Sequence, residues 1–200
     1  MSTRRRFTLQ LGALAAAGLP HAARAQQPEI ARLLVGFPPG GSTDMVARRL
    51  AEQLRGRYAP TVIVDNRPGA GAQLAVVALR GSAPDGATLL LSPPPPFEIY
   101  PFTYKKLPYA PEDAVPVSLV CTFAFAFAVG PAVPATVKTL GDFLAWAKAH
   151  PAHANFGSPA SGWPPHLIGS LLARQAGIEL THVAYRGDAP GLQDLMGGQI

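Results

Sequence analysis

The stretch Leu33-Leu34-Val35-Gly36-Phe37-Pro38-Pro39-Gly40-Gly41-Ser42-Thr43-Asp44 decides the fold, because an apolar strand runs through a Gly/Pro turn into the start of a helix. Val46, Leu50 and Leu54 then recur every four residues, which predicts an amphipathic helix over 43–58. We expect Ser42 or Thr43 to cap it. The first turn of a helix has unpaired N–H groups and a partial positive charge, so this turn could hold an anion. A plain strand-to-helix turn would also explain its two glycines.

The turn resembles a phosphate-binding P-loop but lacks its chemistry. Gly36 and Gly41 have the right spacing, but Ser42 stands where a P-loop has its phosphate-contacting Lys. Pro38 and Pro39 also remove two backbone donors. What remains fits a small carboxylate better than a triphosphate.

Other catalytic and cofactor motifs are incomplete as well. Pro159 and Ala160 interrupt the Gly-x-Ser-x-Gly frame that a hydrolase nucleophile in this loop would need. The segment 69–74 lacks the third glycine of a dinucleotide-binding loop. Cys121 is the only cysteine, which excludes an internal disulfide and a Cys-based zinc site, and its apolar neighbours predict a buried, inert thiol. We therefore expect no catalytic residues, no cofactor and no metal site.

Residues 1–25 have the features of an export signal. Arg4, Arg5 and Arg6 form a basic start, 9–19 is a short Ala/Leu-rich stretch, and Ala23-Arg24-Ala25 is a small-x-small cleavage site. The Arg pair followed by x-Phe resembles a twin-arginine signal, and the general secretory route stays open. The segment is too short to span a membrane. The sequence thus predicts cleavage after Ala25 and a soluble, periplasmic product without membrane insertion.

The charge of the chain depends on that signal. Arg4, Arg5, Arg6 and Arg24 lie in it and no acidic residue does, so its removal lowers the formal net charge from +5 to +1. No basic cluster with interleaved aromatic residues remains, so nucleic acid is not expected as a partner.

The rest of the chain alternates predicted strands with predicted helices. The strands are Arg32–Phe37, Thr61–Asp65, Ala87–Leu91, Val115–Val120, Phe123–Val129, Ala154–Gly157 and Leu180–Tyr185. The helices are 43–58, 70–80, 140–149, 165–176 and 189–196. This alternation predicts an α/β fold with a mainly parallel sheet that is buried on both faces, with the phenylalanines of 123–127 filling one of them.

Residues at the predicted element ends support this pattern. Thr139 is expected to cap the helix 140–149, and Gly177 to end 165–176 in a left-handed conformation. The four prolines Pro93 to Pro96 predict a stiff extended loop.

Seven motifs follow one another along the chain: Phe37-Pro38-Pro39-Gly40-Gly41-Ser42-Thr43-Asp44, Asp65-Asn66-Arg67-Pro68-Gly69-Ala70-Gly71, Ala83-Pro84-Asp85-Gly86-Ala87-Thr88-Leu89-Leu90, Lys106-Leu107-Pro108-Tyr109, Pro116-Val117-Ser118-Leu119-Val120, Pro165-His166-Leu167 and Tyr185-Arg186-Gly187-Asp188-Ala189-Pro190. Their order resembles that in the Bug receptors, the extracytoplasmic solute-binding proteins of tripartite tricarboxylate transporters. The resemblance covers the whole chain after the signal. It implies a two-lobed fold of the type II periplasmic binding proteins, with lobes at 26–122 and 123–200. Such a receptor closes on a small organic carboxylate or amino acid and delivers it to a membrane permease.

The resemblance also implies ligand-binding residues in three loops that face the cleft. They are Pro39, Gly40, Gly41, Ser42, Thr43 and Asp44 in the first lobe, and Ser158, Ser161, Gly162, Arg186, Gly187 and Asp188 in the second. A carboxylate held between opposed helix N-termini would bridge the lobes and favour closure.

Several of these residues also have structural interpretations. Arg186 could bind a ligand carboxylate or pair with Asp188. Asp44 would repel an anion, so we expect it to accept helix N–H bonds or to contact the ammonium of an amino acid. His166 is read as a packing or capping residue, and Asn66-Arg67-Pro68-Gly69 as a turn.

The chain departs from the family pattern at three places. Pro93 to Pro96 and Trp163-Pro164 remove donors and add bulk beside the cleft, so no ligand preference carries over. Family members continue past Ile200, which predicts a C-terminally truncated receptor with an incomplete second lobe and an exposed strand edge. Two alternatives to a working transport receptor stay open: a non-functional fragment of such a receptor, or a solute sensor for a membrane regulator.

Overall fold

Strand β1 (Ile30–Val35) is the centre of a three-stranded parallel sheet in the order β2-β1-β3, with β2 at Thr61–Asn66 and β3 at Thr88–Leu91. The computed structural model describes residues 27–200, so the predicted export signal and its cleavage site lie outside the described residues. Leu33 lies opposite both Val64 and Leu89. The last three residues of β1 are buried although successive side chains point to opposite faces, so both faces of the sheet are covered at this end of the strand.

Four helices belong to this sheet, and we call residues 30–113 the three-stranded unit. They are α1 (Ser42–Leu54), α2 (Gln73–Arg80), α3 (Pro95–Glu98) and α4 (Tyr100–Thr103). Helix α1 buries Ala47 and Ala51, whose small side chains let the helix approach the sheet closely.

A second, two-stranded parallel sheet pairs β4 (Asn155–Ser158) with β5 (Thr181–Ala184). Its helices are α5 (Leu140–Ala149), α6 (Pro164–Ala176) and α7 (Asp188–Met196), and we call residues 137–200 the two-stranded unit. Thr139 and Asp142 form a reciprocal capping box at the start of α5, and Gly177 ends α6 at φ 62°, as predicted. The α/β class is thus confirmed, whereas the lobe boundary between 122 and 123 stays a prediction.

Two predicted strands, 115–120 and 123–129, are wrong. Residues 115–129 form no strand, and no described strand pairs with them. Phe123 is 56% exposed and Phe125 is 45% exposed, so these rings do not fill a buried face. Cys121 is exposed, which corrects the expectation of a buried thiol. The alternating pattern has the periodicity of a strand, but a strand also needs a paired neighbour.

The proline run and the cap of α1 also differ from expectation. Pro95 and Pro96 begin helix α3 instead of extending a loop, because the first turn of a helix does not need the missing N–H. Gly41, not Ser42 or Thr43, is the N-cap of α1, and no side chain of α1 caps it. The partner of Ser42 N–H comes from a distant part of the chain.

The two units share one apolar core. Ala160 and Trp163 of the two-stranded unit pack into a buried cluster with Leu33, Phe37 and Tyr100 of the three-stranded unit. Among residues 27–200, no helix combines the length and the apolar character needed to cross a membrane. Phe37 lies in the β1–α1 loop and Ala160 and Trp163 lie in the β4–α6 loop, so these two loops meet at the shared core.

Candidate functional site

A cavity of about 210 Å³ lies between the two units, at the carboxyl ends of their strands. Parallel α/β sheets commonly bind ligands at this edge. The lining comes from five segments of the chain: Gly36, Phe37, Gly69, Ala70, Gly71, Ala72, Tyr104, Pro159, Ala160, Ser161, Ala184, Tyr185 and Arg186. Arg186 is the one charged residue in this lining, so the cavity favours an anionic group.

The loop 69–72 forms one wall of the cavity in a left-handed backbone conformation. Ala70 has φ 48° and Ala72 has φ 76°, values that a residue with a Cβ adopts only at a cost. Gly71 lies against the Tyr100 hydroxyl, which donates to its carbonyl at 3.2 Å, and a Cβ on Gly71 would collide with that hydroxyl. The wall is therefore held in a strained shape by its packing on α4.

Asp44 orders the β1–α1 loop beside the cavity. Its carboxylate is 2% exposed and accepts from Arg48 at 2.8 Å, from Gly40 N–H at 2.9 Å and from the Asn66 amide at 2.9 Å. Asn66 also donates to the Phe37 carbonyl at 3.0 Å. Burial acts to raise the pKa of Asp44, but the three hydrogen bonds outweigh it and hold this pKa below its usual value. Asp44 is thus ionised, and donors from within the protein already bond to its carboxylate.

Asp188 places its carboxylate at the N-terminus of α1. Ser42 N–H donates to Asp188 Oδ2 at 3.1 Å across the two units, and Ala189 N–H donates to Asp188 Oδ1 at 3.1 Å. One donor at the start of α1, the Ser42 N–H, thus bonds to a carboxylate of the protein itself, and a ligand carboxylate at this helix end stays a prediction.

Ser158 and two histidines support the β4–α6 loop. The Ser158 hydroxyl is buried, donates to the Ala160 carbonyl at 3.0 Å and lies 2.7 Å from His182 Nε2. Gly162 N–H donates to His166 Nδ1 at 3.0 Å, and the His166 and His182 rings stack with centroids 3.9 Å apart. Burial, and then the neighbouring His166, lower the pKa of His182. These three side chains hold the β4–α6 loop in place, and their hydrogen bonds are made within the protein and not to a ligand.

Arg186 and Tyr185 are polar residues that the two-stranded unit contributes to the cavity wall. Among residues 27–200, the Arg186 guanidinium makes no ion pair or hydrogen bond, so the pairing with Asp188 that the sequence left open is not present. The Tyr185 hydroxyl donates to Asp194 at 2.7 Å, and burial together with this carboxylate raises the pKa of Tyr185 to about 12. Arg186 is therefore the cation available to a ligand in the cavity.

The sequence-predicted site residues fall into two groups. Ser161 and Arg186 line the cavity. The other predicted site residues lie beside the cavity and not in its wall. They either bond to other groups of the protein or lie on its surface: Pro39, Gly40, Gly41, Ser42, Thr43, Asp44, Ser158, Gly162, Gly187 and Asp188.

Sequence reasoning missed the loop 69–72 and Tyr104. The sequence predicts only a turn at 66–69, although Gly69-x-Gly71 follows a parallel strand, where ligand loops occur. That signal could have identified the loop. Tyr104 carries no local signal, because only the packing of α4 brings it to the cavity.

The fold is that of the periplasmic solute-binding proteins. MatC from Rhodopseudomonas palustris, solved with bound malate, superposes with a TM-score of 0.71 at 28% identity, over 86% of this chain and 59% of that one. Rpa4515 from R. palustris, solved with adipate, gives a TM-score of 0.70 at 27% identity, over 86% of this chain and 58% of that one.

The family follows from the sequence comparisons. The family described as "Tripartite tricarboxylate transporter family receptor" matches residues 46–200, and the chain belongs to it. Protein BugT from Bordetella pertussis is 36% identical over 171 residues, which are 84% of this chain and 52% of BugT. The chain spans 52% to 62% of the lengths of the first three curated relatives it matches. The resemblance to the Bug receptors is thereby confirmed.

Proposed function

We propose that the chain captures a small organic carboxylate in the cavity between its two units and presents it to the membrane permease of a tripartite transporter. The observation that carries this proposal is Arg186, an unpaired cation among the described residues, in the wall of an inter-unit cavity. A guanidinium pairs with a carboxylate through two parallel hydrogen bonds, which gives both affinity and orientation. Ser161 and the backbone of 69–72 complete a largely neutral wall.

The cavity is small and partly open to solvent. At about 210 Å³ it is smaller than the roughly 300–1,000 Å³ typical of pockets for drug-sized ligands. A carboxylate with only a few carbon atoms fits this space. That MatC was solved with malate and Rpa4515 with adipate supports a carboxylate as the class of solute.

The lining favours a plain carboxylate over an amino acid. It contains no Asp or Glu, so the ammonium of an amino acid would lack a negatively charged partner. Asp44, the residue that could have met an ammonium, is already used by Arg48, Gly40 and Asn66. An ammonium that loses part of its water shell without gaining a carboxylate partner costs free energy, so amino acids should bind more weakly.

Calorimetry against a panel of short mono- and dicarboxylates and matching amino acids tests this proposal. We expect one-site, reversible binding of a carboxylate without its consumption. Arg186→Gln should weaken that binding by about 10–100-fold, because a charge-assisted hydrogen bond contributes about 1.5–3 kcal/mol. Arg174→Gln is the matched control, since Arg174 is an exposed arginine in the last turn of α6, and it should bind as the parent does. Equal affinities for the two variants, absence of binding, or turnover of the solute would contradict the proposal.

We further propose that the protein acts in the periplasm after cleavage behind Ala25. The basic start, the short apolar stretch and Ala23-x-Ala25 support this, and members of the family are periplasmic receptors. N-terminal sequencing of protein from a periplasmic fraction should begin at Gln26. Recovery of the chain only from the cytoplasm, beginning at Met1, would contradict it.

A further inference from the structure

Two stacked histidines, which we call the histidine pair, lie beside the segment 159–161 that lines the cavity. His166 is in the first turn of α6 and His182 is in β5, and their ring centroids are 3.9 Å apart with planes at 22°. The Phe156 ring of β4 packs against His182, with centroids 5.0 Å apart, and lies 6.5 Å from His166. A Cβ on Gly169 would collide with the Phe156 ring, so α6 packs tightly here. The two imidazoles are therefore held against each other by the packing of α6 on β4.

His166 can hold the β4–α6 loop only while its Nδ1 carries no proton. Gly162 N–H donates to His166 Nδ1 at 3.0 Å, so this nitrogen is an acceptor and the neutral ring has its proton on Nε2. A second proton, on Nδ1, would remove the acceptor and place two N–H groups against each other. It would also put a positive charge at the N-terminal end of α6, where the helix dipole disfavours it. Protonation of His166 would therefore release Gly162 N–H.

His182 makes a second contact with the same loop. The Ser158 hydroxyl gives its hydrogen to the Ala160 carbonyl at 3.0 Å, so it accepts from His182 Nε2 at 2.7 Å. Burial, and then His166, lower the pKa of His182. Two imidazolium rings at a centroid distance of 3.9 Å would repel each other, so a first proton on the histidine pair disfavours a second.

No carboxylate of residues 27–200 forms an ion pair with either ring of the histidine pair. Strand β4 has no ionisable residue, and the rings that face Gly162 from the three-stranded unit are those of Tyr100 and Tyr104. The other ionisable residues of β5, of α6 and α7 and of the loops between them are Arg174, Glu179, Tyr185, Arg186, Asp188 and Asp194. None of them shifts the pKa of His182. The charge of the histidine pair is therefore determined by its two rings and by the loop that they hold.

Gly162 links the histidine pair to the cavity wall. It follows Ser161, which lines the cavity, and precedes Trp163, which packs on Phe37 of the other unit. Its φ of 77° is left-handed, and glycine has many other conformations open to it, so the bond to His166 helps to select this one. Loss of that bond would free the loop and move Ser161 away from its place in the cavity.

We propose that the histidine pair makes solute binding depend on pH: the neutral pair holds the β4–α6 loop in its binding shape, and a proton on His166 Nδ1 releases the loop and weakens binding. This inference rests on the proposed function, because the solute and its cavity are those argued above. His166 and His182 are positioning residues, since they act through the loop and do not touch the solute. By reciprocity, binding of the solute in mild acid should expel a proton.

Calorimetry of the purified chain with malate and with adipate, at about pH 7.5 and about pH 5.5, tests this proposal. The affinity of the parent should fall by about 5–10-fold between these pH values, because one proton competes with the solute. His166→Asn places an amide oxygen where Nδ1 was and cannot take up a proton, so it should bind with an affinity that changes little with pH. His166→Ala has no acceptor and should bind weakly at both pH values. Titration of the acids themselves is common to all variants and cancels in the comparison.

The Gly162 amide, followed by NMR without solute, tests the loop directly. Its hydrogen-exchange protection should fall by about 10-fold in the parent between the same two pH values and should persist in His166→Asn. His153→Asn, which replaces an exposed histidine, is the matched control and should retain the pH dependence of the parent. Unchanged Gly162 protection in the parent, or the same loss of affinity in the parent and His166→Asn, would overturn the role of the histidine pair. Failure of the parent to bind any carboxylate at about pH 7.5 would overturn the proposed function instead.

Discussion

The Phe37 ring lies edge-on against the Trp163 indole, with centroids 5.1 Å apart and planes at 77°. Phe37 belongs to the β1–α1 loop and Trp163 directly precedes α6, so this contact joins the two units through apolar packing. Trp163 is 5% exposed, and its Nε1 has no hydrogen-bond partner among the described residues. Trp163 therefore stabilises the fold through the volume that its ring fills, and not through a hydrogen bond.

Trp163→Ala should lower the free energy of unfolding by about 3–5 kcal/mol, the usual cost of emptying such a buried aromatic site. Trp163→Phe should cost less than about 1.5 kcal/mol, because it keeps an apolar ring and deletes no hydrogen bond. Urea unfolding followed by circular dichroism measures both. Similar losses for the two variants would show that the indole nitrogen, and not the volume, matters.

The Asp44 network should contribute more to stability than the neighbouring surface ion pair. Asp44→Ala leaves Arg48, Gly40 N–H and the Asn66 amide without their acceptor, and we expect a loss of about 1.5–3 kcal/mol. Glu52→Ala, which removes only the exposed pair with Arg49, should cost less than about 1 kcal/mol. Because the pKa of folded Asp44 lies below its usual 3.8, its contribution is present above that pH and is lost as the pH falls through the folded pKa. Equal losses for the two variants would contradict this ranking.

Stability should fall between pH 7.5 and pH 5 in a way that depends on His182. Burial and His166 lower the pKa of folded His182 below 6.5, so the unfolded chain binds a proton first and gains on the folded state as the pH drops. The loss levels off below the folded pKa. His182→Gln should remove this part of the pH dependence, whereas His153→Gln, which changes an exposed histidine, should retain it. Superimposable pH profiles for His182→Gln and the parent would contradict the assignment.

The segment 115–129 should govern self-association. It exposes Phe123, Phe125 and several valines, and the longer stretch 114–137 contains no charged residue. Apolar, uncharged segments with strand periodicity pair with other chains. Phe125→Lys should increase the monomer fraction in size-exclusion chromatography. Phe102→Lys, which changes an isolated side chain that is 87% exposed, should leave that fraction as in the parent. If Phe102→Lys increased the monomer fraction and Phe125→Lys did not, the association surface would lie outside 115–129.

Local signals in the sequence predicted the local structure. The turn of 36–41 between β1 and α1, and the cap at Thr139, depend on residues only a few positions apart, and both are present. The strands predicted at 115–120 and 123–129 failed because pairing depends on a distant neighbour. The helix at Pro95 was missed because prolines are tolerated where an N–H is not needed.

The candidate site depended more heavily on distant contacts. Ser42 and Asp188 are 146 positions apart, so no local pattern shows that the Ser42 N–H donates to the Asp188 carboxylate. The left-handed backbone at Ala70 and Ala72 is equally hidden, since alanine does not favour it. The sequence could predict several of the loops that meet at the cavity. Which of their donors remain available to a ligand depends on tertiary packing, which the sequence alone does not show.

A crystal structure of the chain with the tightest-binding carboxylate tests the central claim most directly. The account predicts electron density for the solute in the cavity between the units, with its carboxylate about 3 Å from the Arg186 guanidinium. Electron density for the solute outside this cavity, with Arg186 turned to solvent, would contradict it.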